Sequence, residues 1–153
     1  MNHLSHCIYT SAATHTFDAL ELAEMLRRAR ENNDRLCLTG MLLYTQGSFF
    51  QVLEGSPEVV EAMFSRIAHD ERHQQVTKII SEPIPRRSFT DWTMGFQDIS
   101  REELADIPDM NDFFGASRCF TDLDAGRAKK LLAAFRDGRW RKQLSGARDV
   151  VSA

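Results

Sequence analysis

A carboxamide set among aromatic and aliphatic side chains is the most informative feature of this chain: Gln51 lies within Phe49-Phe50-Gln51-Val52-Leu53. A primary amide in such a run is expected to be buried, and a buried amide needs hydrogen-bond partners for its donor and its acceptor. Strand alternation puts Phe49, Gln51 and Leu53 on one face, and it does the same for Cys7, Tyr9 and Ser11 in an earlier run. The Tyr9 hydroxyl and the Gln51 amide can therefore meet. Asn32 and Asn33 end a helical stretch, Arg66 lies beside Met63 and Ile67 in another, and Trp92 and Met94 fall in a late strand-like run. Each alone has a bland structural explanation as a helix ender, a core residue or a surface charge. Converging at the ends of neighbouring elements, they fit a planar, mostly apolar ligand with a polar edge. A carboxamide matches the adjacent N–H and C=O groups of a flavin ring, and Arg66 could reach a phosphate.

Competing chemistries are weaker. His69-Asp70-Glu71-Arg72-His73 spaces two histidines four apart, but the zinc-protease pattern needs Glu directly after the first His and a third ligand. A helix terminus with solvated charges is the expectation there. Arg136, Arg139, Arg141 and Lys142 around Trp140 read as a solvated helix end. No glycine-rich phosphate loop occurs. An acylphosphatase-type site is disfavoured because the loop Thr10 to Thr16 has His15 but no arginine. Cys7, Cys37 and Cys119 share no metal-type spacing and read as free buried thiols.

The elements that must position these residues are legible. Leu4 to Ser11 predicts a first strand; Thr16 can cap a helix with Leu22, Met25, Leu26 and Ala29 on one face, ending at Asn32-Asn33-Asp34. Leu36 to Tyr44 and Phe49 to Glu54 predict a hairpin joined by Thr45-Gln46-Gly47-Ser48. Ser56-Pro57-Glu58 opens a second helix, with Val59, Val60, Met63, Phe64 and Ile67 inward, that ends near Ala68. Val76 to Ile80 predicts a fourth strand, Pro83-Ile84-Pro85 a break, and Phe89 to Phe96 a fifth strand. The order βαββαβ plus a strand implies an α+β, ferredoxin-like layout, with two helices on one face of a mixed five-stranded sheet. A last helix from about Leu123 to Arg136 carries Leu131, Leu132 and Phe135 on one side and suits the opposite face. Residues 1–97 are thus expected to form the binding domain. Residues 98–153, too poor in core to fold alone, are expected to form a helical cap or output extension.

The 153 residues suit one domain, and 42% apolar content excludes a disordered or fibrous chain. With 19 basic against 22 acidic residues and no basic block, a nucleic-acid coat is not expected. No apolar run approaches the ~20 residues of a membrane span, and the first residues lack the pattern of a signal peptide. A cytoplasmic protein without a membrane partner is expected. Ten phenylalanines against two tyrosines and two tryptophans is the one oddity of composition.

The residues singled out above closely resemble those of the BLUF family, blue-light sensors that use flavin. The resemblance runs from about Leu4 to Phe96: Tyr9-Thr10-Ser11, Asn32-Asn33, Leu38-Thr39-Gly40-Met41-Leu42-Leu43-Tyr44, Phe50-Gln51-Val52-Leu53-Glu54-Gly55, Asp70-Glu71-Arg72-His73 and Trp92-Thr93-Met94. Any single piece is weak, but the ordered set is highly specific. It implies a flavin, usually FAD with FMN or riboflavin as variants, lying between the two helices. Tyr9 would donate an electron and a proton to the excited flavin. Gln51 would relay the proton and rearrange by rotation or tautomerism, leaving an altered hydrogen bond to the flavin C4 carbonyl and a small red shift. Asn32 and Asn33 would hold the polar edge of the ring, Arg66 the phosphate side, and Trp92 and Met94 would transmit the change.

In two places the chain departs from the pattern: Cys37 stands where the family often has Gly, and Ala29 where it often has Ser. The resemblance further implies a non-enzymatic photoreceptor that acts on a downstream effector protein, as a homo-oligomer. The rival is a flavin-binding redox protein without light signalling, and a third reading is an empty interaction module.

Overall fold

The computed structural model describes residues 3–15, 17–45, 47–89, 95–98 and 123–136. Among these residues five strands and three helices follow in the order β1 (Leu4–Ala13), α1 (Ala19–Arg35), β2 (Thr39–Thr45), β3 (Ser48–Gly55), α2 (Pro57–Ala68), β4 (His73–Ile84), β5 (Gly95–Asp98) and α3 (Ala125–Arg136). The sheet order is β4-β1-β3-β2-β5. Among the described residues only the β2–β5 pair is parallel, and the class is α+β.

Period-two alternation sorts the strand residues onto two cores. On one side Cys7, Tyr9, Leu42, Phe49 and Leu53 pack with Leu22, Met25 and Leu26 of α1 and Val60 and Met63 of α2. On the other, Ile8, Met41, Phe50, Val52 and Ile80 pack with Leu123, Ala128, Leu131 and Leu132 on and before α3. Strand β3 is buried along its whole length because it lies in the middle of the sheet under both layers.

Several boundaries correct the sequence reading. Helix α1 is capped by Asp18, whose carboxylate accepts from Glu21 N at 2.8 Å, while the Glu21 side chain reaches back to Asp18 N at 3.4 Å. This reciprocal capping box supersedes Thr16, which lies outside the described residues. Asp18→Ala is expected to cost about 1 kcal/mol, read as a lower urea midpoint with an unchanged slope.

Strand β4 is longer than Val76 to Ile80 and runs through Pro83, which an edge strand tolerates because one side of its backbone needs no ladder partner. Two register shifts separate it from β1, between Ile8 and Tyr9 and between Thr10 and Ala12. Such bulges re-aim side chains, and these two flank Tyr9. The fifth strand covers Gly95–Asp98, whereas Phe89 lies before it in a bend, with its ring buried in the α3-side core.

Of the cysteines, Cys7 is buried, Cys37 is exposed against expectation, and Cys119 lies outside the described residues. Cys37 has a φ of 58°, in the left-handed region where glycine carries no Cβ penalty, which is the physical reason a glycine suits that position.

Candidate functional site

Helices α1 and α2 leave a cavity of about 260 Å³ between them over the sheet, near the lower end of small-molecule sites. Its walls are apolar: Met25, Leu26 and Ala29 from α1, Met63 and Ile67 from α2, and Leu42 from the sheet. Because Ala29 lines this wall, the cavity lacks the hydroxyl that a serine there would bring. Polar groups enter from three directions. Asn32 and Asn33 come from the last turn of α1, Gln51 from the middle of β3, and Arg66 from the last turn of α2.

Tyr9 and Gln51 are opposite each other in the β1–β3 register. The Tyr9 hydroxyl donates to Gln51 Oε1 in a buried contact. Tyr9 is fully enclosed, with its ring edge-on to Phe64 at 5.2 Å, and burial followed by the nearby Cys7 pushes its hydroxyl well above the ordinary tyrosine range. The phenol is therefore neutral and a hydrogen-bond donor at any physiological pH. With Oε1 accepting from Tyr9, the other end of the Gln51 amide is its donor end, and Gln51 itself lines the cavity. A half-turn of that carboxamide exchanges a donor for an acceptor on the cavity side.

Asn33 is buried, whereas Asn32 is half-buried and accepts from Arg35 Nη2 at 3.0 Å. Three guanidinium groups line the cavity. Arg28 is paired with Glu24 at 3.0 Å and Arg72 with Asp70 at 2.5 Å, while Arg66 forms no hydrogen bond or ion pair among the described residues. Among the described residues that line the cavity, Arg66 is the cation left available for an anion. Trp92 and Met94 lie outside the described residues.

The sequence reading missed Asp70, Arg72 and His73, which it placed on a solvated helix end. All three line the cavity. His73 opens β4, its Nδ1 lies 2.8 Å from Ser11 Oγ, and its ring lies 4.9 Å from that of Phe49. Burial lowers its pKa, which favours neutral imidazole. The Arg72 guanidinium holds Asp70 at about 2, well below the usual carboxylate range. The signal that could have found them is the turn between α2 and β4, which carries the chain back over the end of the cavity. Among the described residues no group of three metal-ligating side chains forms, and no helix is long and apolar enough to cross a membrane.

Fold and site together define an α+β ligand-binding domain, with an apolar slot between two helices, carboxamides along its floor and edge, and a buried tyrosine behind one of them. The chain belongs to the BLUF family, sensors of blue-light using FAD, whose family model matches residues 4–95. Over 123 residues it is 32% identical to the photoactivated adenylate cyclase subunit beta of Euglena longa, covering 79% of this chain and 14% of that protein. Over 104 residues it is 30% identical to the blue light- and temperature-regulated antirepressor BluF of Escherichia coli (strain K12), covering 68% of this chain and 26% of that one. The chain thus spans a small part of the length of these curated relatives. Among solved structures it matches BlsA in its photo-activated state with a TM-score of 0.75 and 26% identity, covering 87% of this chain and 94% of that chain. It matches the dark-state BLUF protein BlrB with a TM-score of 0.68 and 29% identity, covering 88% and 98%.

FAD is accordingly the cofactor, and the residues present fit it. Apolar walls suit a flat aromatic ring, the carboxamides suit its polar edge, and the uncommitted Arg66 suits a phosphate.

Proposed function

We propose that this chain is a blue-light photoreceptor in which Tyr9 and Gln51 form the switching pair and residues 98–153 carry the output to a partner protein. The observation that carries this reading is the buried hydrogen bond from the Tyr9 hydroxyl to Gln51 Oε1 on the cavity floor. When bound, the flavin supplies a blue-light absorber whose excited state is strongly oxidising. Tyr9 is the oxidisable side chain, and its phenol proton already points at Gln51. Loss of an electron makes the phenol a strong acid, so the proton moves along that bond to the carboxamide. Gln51 then turns or tautomerises while Tyr9 recovers its electron and proton. The net result is a changed donor and acceptor pattern at the cavity edge with no atom gained or lost.

Asn32 and Asn33 hold the polar edge of the ring, Arg66 the phosphate, and Trp92 and Met94 pass the change onward. The strand order supports a ferredoxin-like sheet with β5 appended, and in this reading residues 1–97 are the sensor. A few hydrogen bonds at ~1 kcal/mol each bias a two-state output modestly. A partner must amplify them, and the cyclase and antirepressor relatives point to effector proteins as the class. The mildly acidic charge favours a protein partner over nucleic acid or a membrane surface. A cytoplasmic, homo-oligomeric photoreceptor without enzymatic activity of its own is the setting we propose.

One absorption spectrum before and after blue light tests the reading. The expected result is a small red shift of the flavin band that decays in darkness. Sustained flavin turnover by an electron donor in the dark, with no reversible photoproduct, would instead identify a redox protein, and a colourless protein would leave only an interaction module.

A further inference from the structure

A second buried polar cluster lies on the opposite face of β3 from Gln51. Glu54 is fully enclosed, three residues along the strand from Gln51 and therefore turned toward the α3 layer. Its Oε1 accepts from Thr39 Oγ1 at 2.9 Å and from Phe89 N at 3.0 Å, and its Oε2 accepts from Ser88 N at 2.6 Å. Arg87 Nη1 donates to Thr39 Oγ1 at 2.8 Å and to the Glu54 carbonyl at 3.0 Å, while its Nη2 donates to the Cys37 carbonyl at 2.8 Å. Three consecutive residues, 87 to 89, are thus fastened to β2 and β3 around one carboxylate. No direct ion pair joins Arg87 to Glu54 among the described residues; the guanidinium reaches the carboxylate through the Thr39 hydroxyl.

A carboxylate sealed from water is costly to keep unless hydrogen bonds answer its charge. Here two backbone N–H groups and a hydroxyl do so; the N–H groups belong to the chain leading from β4 toward β5, and the hydroxyl is that of Thr39 on β2. The strand beyond is tied to Gln51 by a second route, because Leu42 pairs with Gln51 on one side and with Phe96 of β5 on the other.

The geometry points to Glu54 as the latch through which β3 holds the β4–β5 connection, so that a rearrangement at Gln51 reaches residues 87–98. This rests on the photoreceptor reading. Glu54 does not line the cavity, and its carboxylate bonds to Thr39, Ser88 and Phe89 and not to Tyr9; it is a positioning residue for the signal, separate from the photochemistry.

Glu54→Gln tests it in the full chain with flavin bound. A carboxamide keeps the shape but has one acceptor oxygen, so one of the two amide bonds is lost. Hydrogen exchange on peptides covering residues 87–98 is followed in the dark and under blue light, beside the absorption spectrum. The parent is expected to give a light-dependent exchange difference there. The variant is expected to keep the red shift at full size, to exchange the Ser88 and Phe89 amides about tenfold faster in the dark, and to lose the light-dependent difference.

A variant that keeps the parental difference overturns the latch, as does one that loses the red shift as well, since Glu54 would then act on the switching pair itself. A parent with a red shift but no exchange difference also overturns it. A parent with no red shift fails the photoreceptor reading first, which the spectrum reports separately. Should Glu54→Gln not fold, Ser88→Pro removes one donor from the other side of the latch and carries the same expectations.

Discussion

Tyr9→Phe is expected to abolish the light-induced red shift while the flavin stays bound and yellow. Phenylalanine keeps the ring edge that packs against Phe64 at 5.2 Å, so the volume of the core changes by one oxygen. It loses the hydroxyl that donates to Gln51 Oε1, and a benzene ring is far harder to oxidise than a phenol. Both the electron and the proton of the proposed switch disappear together. The stability cost is smaller, about 1 to 2 kcal/mol for a buried acceptor deprived of one donor. The variant should therefore fold, bind flavin and remain spectrally silent under blue light. Tyr44→Phe is the control: Tyr44 is buried on the same side of the sheet, but its ring contacts are with Phe17 and Phe49, and its response should persist. A dark-reversible red shift of normal size in Tyr9→Phe would remove Tyr9 from the mechanism and transfer the electron-donor role to another side chain.

Why the Tyr9–Gln51 meeting was legible in the sequence, and the far end of the cavity was not, comes down to the kind of geometry involved. Period-two alternation fixes which strand residues share a face, and one face of each strand was marked by apolar neighbours. Asn32, Asn33 and Arg66 follow in the same way from helical periodicity, which brings the last turns of α1 and α2 to the cavity. Asp70, Arg72 and His73 sit where a helix gives way to a strand. The i,i+4 spacing of His69 and His73 suggested one helix face, yet α2 ends at Ala68 and His73 is already in β4. Tertiary placement of a turn has no period to read.

The expected start of the fifth strand at Phe89 differs from the structure for a related reason. Phe89 is apolar and buried like a strand residue, but its N–H goes to the Glu54 carboxylate instead of a ladder. Glu54 itself gave no warning, because a charge inside a β-rich run reads as an edge or an end until its partners are known. The Asp18 cap, by contrast, is written in the sequence as Asp-x-x-Glu, two residues after the threonine that also has a capping side chain.

Among the described glycines, Gly40→Ala is expected to be the most damaging added methyl. Gly40 is on β2, opposite Leu53 of β3, and an added Cβ would lie 1.9 Å from the Val52 carbonyl oxygen and 3.0 Å from its carbon. The obstruction is backbone in the central strand, buried on both faces, so no side chain can swing aside. Relief requires β2 to move away from β3. Overpacking of this kind costs about 3 kcal/mol or more, a large part of the roughly 5 to 15 kcal/mol that holds a domain together. The expected thermal midpoint falls by about 10 °C.

Gly47→Ala separates steric from conformational cost. Its φ is 81°, with nothing within 4 Å of a new Cβ, so only the left-handed backbone penalty of about 1 to 2 kcal/mol applies. The Gly40 change also reaches function, because β2 carries Leu42 in the cavity wall and pairs it with Gln51. Flavin affinity should therefore fall along with stability in Gly40→Ala but hold in Gly47→Ala. Equal thermal midpoints for the two variants would show that β2 and β3 can separate at Gly40 without cost, and would remove close backbone approach as the reason for glycine there.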